Sequence, residues 1–66
     1  SEEKDAESLD EICKIVVETL VEEREALKKN PKVFGAFVGE VMKRTKGRAD
    51  PKLVSSTIKH LLRDYD

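Results

Sequence analysis

The sequence has little of what catalytic, metal-binding and membrane-spanning proteins usually need. Its 66 residues include one cysteine, one histidine, three aromatic residues and no tryptophan. The single Cys13 excludes an internal disulfide bond and a cysteine-based metal site, and it favours a reducing compartment. No apolar run approaches the roughly 18 residues of a membrane span, and the acidic start, SEEKDAES, is the opposite of a signal peptide. A chain this short buries only roughly 60% of its unfolded surface, so an enclosed catalytic cleft is hard to build.

Charge is abundant, at 41% of residues, and the two signs are separated along the chain. Residues 1–27 contain ten acidic and three basic side chains, whereas residues 28–66 contain ten basic and four acidic ones. This separation is typical of a protein whose basic half faces a polyanion. The alternative is that the acidic segment lies on the basic segment and neutralises it.

The spacing of apolar residues predicts an all-α fold, a small bundle of three helices or of four. The first helix begins at a capping box, Ser8 and Glu11, and its buried stripe comprises Leu9, Ile12, Cys13, Val16, Val17 and Leu20. Residues 22–29 favour helix but are mostly polar, so they either extend the first helix or form a separate one. We expect residues 1–66 to form a single domain with a disordered extension over residues 1–8.

Two further helices begin with the same signal, an Asx residue followed by proline. Asn30-Pro31 and Asp50-Pro51 each supply an N-cap side chain and a proline at the first helical position. The next helix is predicted from residue 33 to about 45, ended by Gly47, and the last from residue 51 to about 63. Their predicted apolar faces contain Phe34, Phe37, Val38, Val41 and Met42, and Leu53 or Val54, Ile58, Leu61 and Leu62.

Two glycines, Gly35 and Gly39, lie four residues apart inside the second of these predicted helices. Each costs up to about 1 kcal/mol relative to alanine, so a close approach of another backbone is the expected compensation. We interpret the pair as a tight helix–helix contact within the domain. The alternative is a bare surface on which a partner docks.

Residue types that catalyse reactions are present but not arranged for it. His60 is isolated at the edge of an apolar stripe, and residues 55–57, Ser-Ser-Thr, point in different directions on one helix. Cys13 lies in the apolar stripe of an acidic helix, where burial and nearby carboxylates raise a thiol pKa and suppress its reactivity. No phosphate-binding glycine loop or metal-ligand spacing occurs. We therefore expect neither catalysis nor a bound metal.

The segment 43–52, KRTKGRADPK, places five basic residues across a helix end, a glycine-containing turn and the next helix start. These are Lys43, Arg44, Lys46, Arg48 and Lys52. The turn brings them to one end of the molecule, where the N–H groups that open the last helix add partial positive charge. Phosphate is the natural partner of such a cluster, whereas the lack of aromatic platforms argues against reading unpaired bases by stacking.

The segment 35–54, GAFVGEVMKRTKGRADPKLV, resembles the helical tail domain of the GatB/YqeY family. Two glycines at fixed spacing, then Val-Met-Lys, then Gly-Arg-Ala-Asp-Pro form the specific part, and the resemblance covers about residues 33–62. It implies a non-catalytic, tRNA-binding tail in the GatB component of a glutamine-dependent aminoacyl-tRNA amidotransferase. The reaction chemistry of such enzymes lies elsewhere, so the resemblance implies no catalytic residue, cofactor or metal here and a chain that is part of a larger protein.

In that family the tail contacts the outer corner of tRNA, near the D-loop. Carried over by position, the RNA-contacting residues are Lys43, Arg44, Lys46, Gly47, Arg48 and Lys52, with Gly39 allowing close approach. The implied partners are tRNA and other subunits or domains of the amidotransferase, with no DNA or membrane, in a bacterial-type cytoplasm or an organelle matrix. The alternatives are a protein-interaction module, an archaeal GatE tail, a glutaminyl-tRNA synthetase appendage or a free-standing YqeY-like protein.

Overall fold

The computed structural model describes residues 8–65, and every regular element within that range is helical. The four α-helices are α1 (Leu9–Thr19), α2 (Val21–Leu27), α3 (Phe34–Arg44) and α4 (Pro51–Leu62). Short 3-10 turns at Pro31–Val33 and Arg63–Tyr65 precede α3 and follow α4. The predicted all-α bundle is confirmed, in its four-helix form. The predicted disordered extension lies outside the described residues except for Ser8, which caps α1.

The first helix starts at the predicted capping box and ends before the polar segment. The Ser8 hydroxyl accepts a hydrogen bond from the Glu11 N–H at 3.2 Å, and the Glu11 carboxylate accepts one from the Ser8 N–H at 3.4 Å. Leu20 has φ −84° and ψ 66°, outside the helical region, so the backbone bends there. Residues 22–29 therefore do not extend α1, and most of them form the separate helix α2.

Arg24 stabilises the bend between α1 and α2. Its Nη1 donates hydrogen bonds to the carbonyl oxygen of Val17 and, at 3.2 Å, to that of Glu18. Because the last turn of α1 contains no basic residue, Arg24 supplies the cation that the free carbonyls of this helix end favour. Its guanidinium also lies 4.2 Å from the centroid of the Tyr65 ring, a cation–π contact. One side chain thus connects α1, α2 and the C-terminal 3-10 turn.

The core is small and is built by three of the four helices. Its fully buried members are Cys13, Val16 and Val17 from α1, Phe37 and Val41 from α3, and Val54 and Ile58 from α4. Val54, not Leu53, faces the interior, which decides between the two predicted positions. No side chain of α2 is buried, so this helix packs at the edge of the bundle.

The predicted tight contact at Gly35 and Gly39 is wrong. A Cβ atom placed on either glycine would meet no heavy atom within 4 Å, and both residues are exposed together with Ala36. The reason is the helical period, because these positions lie on the face of α3 opposite the buried Phe37 and Val41. The small residues therefore form an open surface.

Candidate nucleic-acid interface

The connection between α3 and α4 is closed by backbone hydrogen bonds. The Gly47 N–H donates to the Met42 carbonyl at 2.8 Å, and the Lys46 N–H donates to the Lys43 carbonyl at 3.2 Å. These two bonds form a Schellman motif, which satisfies the last carbonyls of α3. The Thr45 hydroxyl adds a bond to the Val41 carbonyl at 3.0 Å. The turn is therefore held without using any basic side chain.

Two successive residues of this turn have left-handed backbones. Gly47 has φ 77°, as its predicted role at the helix end requires, and Lys46 has φ 56°. A non-glycine residue in this region costs of the order of 1 kcal/mol. Lys46 occupies the Schellman position that usually holds glycine, so the fold keeps a cation there at some cost in stability.

The predicted RNA-contacting residues are all exposed, and the structure brings them together within one short turn and its flanking helix ends. Lys43 and Arg44 lie in the last turn of α3, Lys46 and Arg48 in the connection, and Lys52 in the first turn of α4. We call this set the cationic turn, with Gly47 at its centre. It presents five positive charges at one end of the bundle.

Acidic side chains neutralise little of this charge. Within residues 8–65 two ion pairs occur, Lys28–Glu25 at 3.6 Å and Arg44–Glu40 at 3.1 Å. Only the second involves the cationic turn, and it joins neighbours on α3 and not the acidic N-terminal segment. In the described part of the chain, internal neutralisation of the basic half by the acidic half is therefore wrong at this site.

The start of α4 differs from the prediction in one respect. The Asp50 carboxylate accepts a hydrogen bond from the Lys52 N–H at 3.0 Å, as expected of an N-cap. An anion thus already lies at this helix end, and it opposes a phosphate there. Anion binding by the cationic turn therefore depends on its side chains more than on the N–H groups of α4.

A groove between α1 and α4 was missed by the sequence reasoning. It encloses about 470 Å³ and is lined by Asp10, Glu11 and Lys14 from α1 and by Ser56, Thr57, His60 and Leu61 from α4. His60 and Ser56 share this groove with carboxylates, but no hydrogen bond joins His60 to any of them among the described residues. Apolar periodicity carries no signal for such a groove, because it forms between helices.

The other reactive residues behave as predicted. Cys13 is fully buried, and burial, with a smaller contribution from the Asp10 carboxylate, raises the pKa of its thiol above the ordinary 9.0. A raised pKa leaves the thiol protonated and unreactive at neutral pH. Across residues 8–65, no three His, Cys, Asp or Glu side chains come close enough to hold a metal ion. None of the helices described is long and apolar enough to cross a bilayer.

Comparison with known proteins gives a consistent family. Residues 2–62 match the family model of the GatB domain. The B-2 component of a chloroplastic/mitochondrial glutamyl-tRNA(Gln) amidotransferase from Micromonas commoda is 44% identical over 59 residues, covering 88% of this chain and 11% of that protein. The GatB-type component of an aspartyl/glutamyl-tRNA(Asn/Gln) amidotransferase from Leptospira biflexa is 48% identical over 56 residues, covering 83% of this chain and 12% of its own.

A third relative, the corresponding component of an aspartyl/glutamyl-tRNA(Asn/Gln) amidotransferase from Ehrlichia ruminantium, is 58% identical over 33 residues, which is 50% of this chain and 7% of that protein. The chain thus spans about a tenth of the length of the curated relatives it matches. No solved structure matches it.

Proposed function

The chain belongs to the GatB domain family, and from that premise we propose that it is a non-catalytic, tRNA-binding tail domain of the GatB component of an aminoacyl-tRNA amidotransferase. The curated relatives are amidotransferase components of this kind by name, from bacteria and from a chloroplast or mitochondrion. We place the protein accordingly in a bacterial-type cytoplasm or an organelle matrix, with tRNA and the other amidotransferase subunits as partners.

The observation that carries this proposal is the state of the cationic turn. Lys43, Lys46, Arg48 and Lys52 are exposed, and none of them is in an ion pair within residues 8–65. Exposed cations on a rigid turn can replace the counterions of a nucleic-acid backbone, and their release drives binding. Since shape and backbone dominate the recognition of folded RNA, a compact helical domain suits the outer corner of tRNA, near the D-loop.

The direct test is the binding of a tRNA transcript to the 66-residue chain, measured by fluorescence anisotropy at several salt concentrations. We expect a dissociation constant of roughly 10⁻⁴–10⁻⁶ M and a linear loss of affinity with the logarithm of salt concentration. Reversal of Arg48 and Lys52 to Glu should weaken binding by about tenfold or more and flatten the salt slope. The matched control reverses Lys29 and Arg63, two basic residues outside the turn.

Two results would contradict the proposal. One is undiminished binding after the Arg48→Glu and Lys52→Glu reversals, and the other is an equal loss in the Lys29 and Arg63 control. Hydroxyl-radical footprinting of the tRNA tests the finer assignment. Protection confined to the acceptor stem would exclude the D-loop corner.

A second candidate function is docking on another subunit, and the open surface at Gly35, Ala36 and Gly39 favours it. Bare glycines on an exposed helix face allow a partner backbone to approach closely. Replacement of both glycines by alanine should raise the free energy of unfolding by about 1 kcal/mol, because nothing obstructs the added methyl groups. Loss of co-purification with the other amidotransferase subunits in this stabilised variant, with tRNA binding intact, would support the docking role.

A further inference from the structure

Leu53 stands out among the exposed apolar residues because of its location. Three large apolar side chains in the described range are substantially exposed: Leu53 at 54%, Val21 at 51% and Tyr65 at 41%. Tyr65 is partly covered by Arg24, and Val21 precedes two glutamates at the start of α2. Leu53 directly follows Lys52, so an apolar side chain projects from the cationic turn itself.

Leu53 also begins a strip that continues into the groove between α1 and α4. Ser56 and Thr57 follow it by three and four residues, so they are its neighbours on the helix surface. Both line that groove, together with Leu61. A single surface therefore runs from the cations through an exposed leucine and two hydroxyl residues to an apolar groove of about 470 Å³.

We infer that this strip, Leu53 with the groove behind it, receives an unpaired nucleobase of the RNA whose backbone is held by the cationic turn; the inference rests on the proposed function. The three chemical parts of a nucleotide match the order of the surface. Phosphates lie at Arg48 and Lys52, the apolar face of the base lies on Leu53, and hydroxyl groups line the way inward.

The opposite wall of the groove supports a base over a backbone. Asp10 and Glu11 repel phosphates, while their carboxylates accept hydrogen bonds from the N–H groups of a base edge. The backbone is thus kept at the turn and only the base enters. Because bases are accessible in this way only in loops and unpaired segments, the cationic turn should prefer a looped RNA to a regular duplex.

The experiment compares two RNAs with equal numbers of phosphates, a hairpin with a seven-nucleotide loop and a blunt duplex. The wild-type chain should bind the hairpin more tightly. Leu53→Ser should weaken hairpin binding about fivefold, as expected for losing the burial of a half-exposed leucine, and leave duplex binding unchanged. The salt slope should not move, because no phosphate contact is lost. The matched control is Val21→Ser, equally exposed but outside the strip, which should alter neither affinity.

The outcomes separate this inference from the proposed function. If the wild-type chain binds neither RNA, the proposed function itself fails. If it binds both and Leu53→Ser weakens both equally or neither, the base site is wrong while the cationic turn stands. A hairpin preference that persists in Leu53→Ser would assign the strip to another kind of partner, such as a protein. Circular dichroism verifies that Leu53→Ser and Val21→Ser remain equally helical.

Discussion

The ends of α1 and α3 solve the same problem in opposite ways. Each helix leaves carbonyl groups without partners in its last turn. At the end of α1 they bond to the guanidinium of Arg24. At the end of α3 they bond to backbone N–H groups of Lys46 and Gly47. Basic side chains are used up by the fold at the first end and left to solvent at the second.

The difference shows why a basic residue cannot be assigned a role from its charge alone. Arg24 lies in an acidic segment and is part of the fold, whereas the cations around Gly47 satisfy no carbonyl and carry no structural duty visible in residues 8–65. What separates the two cases is the left-handed turn. It supplies N–H donors to the end of α3 and so frees the side chains.

The strongest way to break this comparison is to remove the guanidinium at each end. Arg24→Gln should lower the free energy of unfolding by about 2 kcal/mol, because two carbonyl bonds and a cation–π contact are lost. Arg48→Gln, the matched change in the cationic turn, should leave stability within about 0.5 kcal/mol of the wild type and weaken tRNA binding. Urea denaturation followed by circular dichroism measures both. Equal destabilisation by the two variants would remove the distinction.

The next prediction concerns the turn that frees the cations. Gly47→Ala places a Cβ at φ 77° and should destabilise the protein by about 1 kcal/mol. Gly39→Ala is the matched control, since its helical site is open and the same change should stabilise. Thermal melts of the two variants should therefore shift in opposite directions. A shift in the same direction would mean that the turn does not need its left-handed glycine.

A smaller effect of opposite sign is expected one residue earlier. Lys46→Gly removes the cost of a left-handed lysine and should stabilise the chain by about 0.5–1 kcal/mol. The same variant loses one cation and should bind tRNA more weakly. This exchange of stability for affinity, seen in denaturation and anisotropy together, would sharpen the contrast between the two helix ends. Loss of stability would show that the lysine backbone is unstrained.

The smallest effect is expected at the single ion pair of the cationic turn. Glu40→Gln breaks the pair with Arg44, which is partly exposed and contributes about 0.3–0.5 kcal/mol to stability. It also raises the net positive charge of the site, so tRNA should bind about twofold more tightly at low salt. Glu25→Gln breaks the Lys28 pair far from the turn and should leave affinity unchanged. An equal gain in both variants would indicate a general charge effect.

Most of the fold was predictable because its signals are local. The capping box at Ser8 and Glu11, the Asx-Pro starts at residues 30–31 and 50–51, and the left-handed Gly47 are each set by neighbours in sequence. The bend at Leu20 was not predictable, since it depends on a side chain four residues later that reaches back to α1. The orientation of Gly35 and Gly39 was misread because the cost of a glycine in a helix suggests a close contact without saying that one exists.

The candidate site was predictable in composition and less so in detail. Five basic residues in ten, with a turn between them, were visible in the sequence. The Arg44–Glu40 pair, the carboxylate at the start of α4 and the left-handed backbone of Lys46 required the structure, because each depends on side-chain or backbone geometry. The exposed leucine was one of two equal choices in the helical pattern, and only packing showed which one faces outward.

The absence of buried side chains in α2 has a consequence for the motions of the bundle. Opening of this helix exposes no core residue, so it costs much less than unfolding of the other three. Amide protons of Val21–Leu27 should therefore exchange with deuterated solvent well before those of the buried segments. Arg24 would be the latch of that opening, so its removal should speed exchange in α2 and leave the slowest amides of α3 dependent on global unfolding.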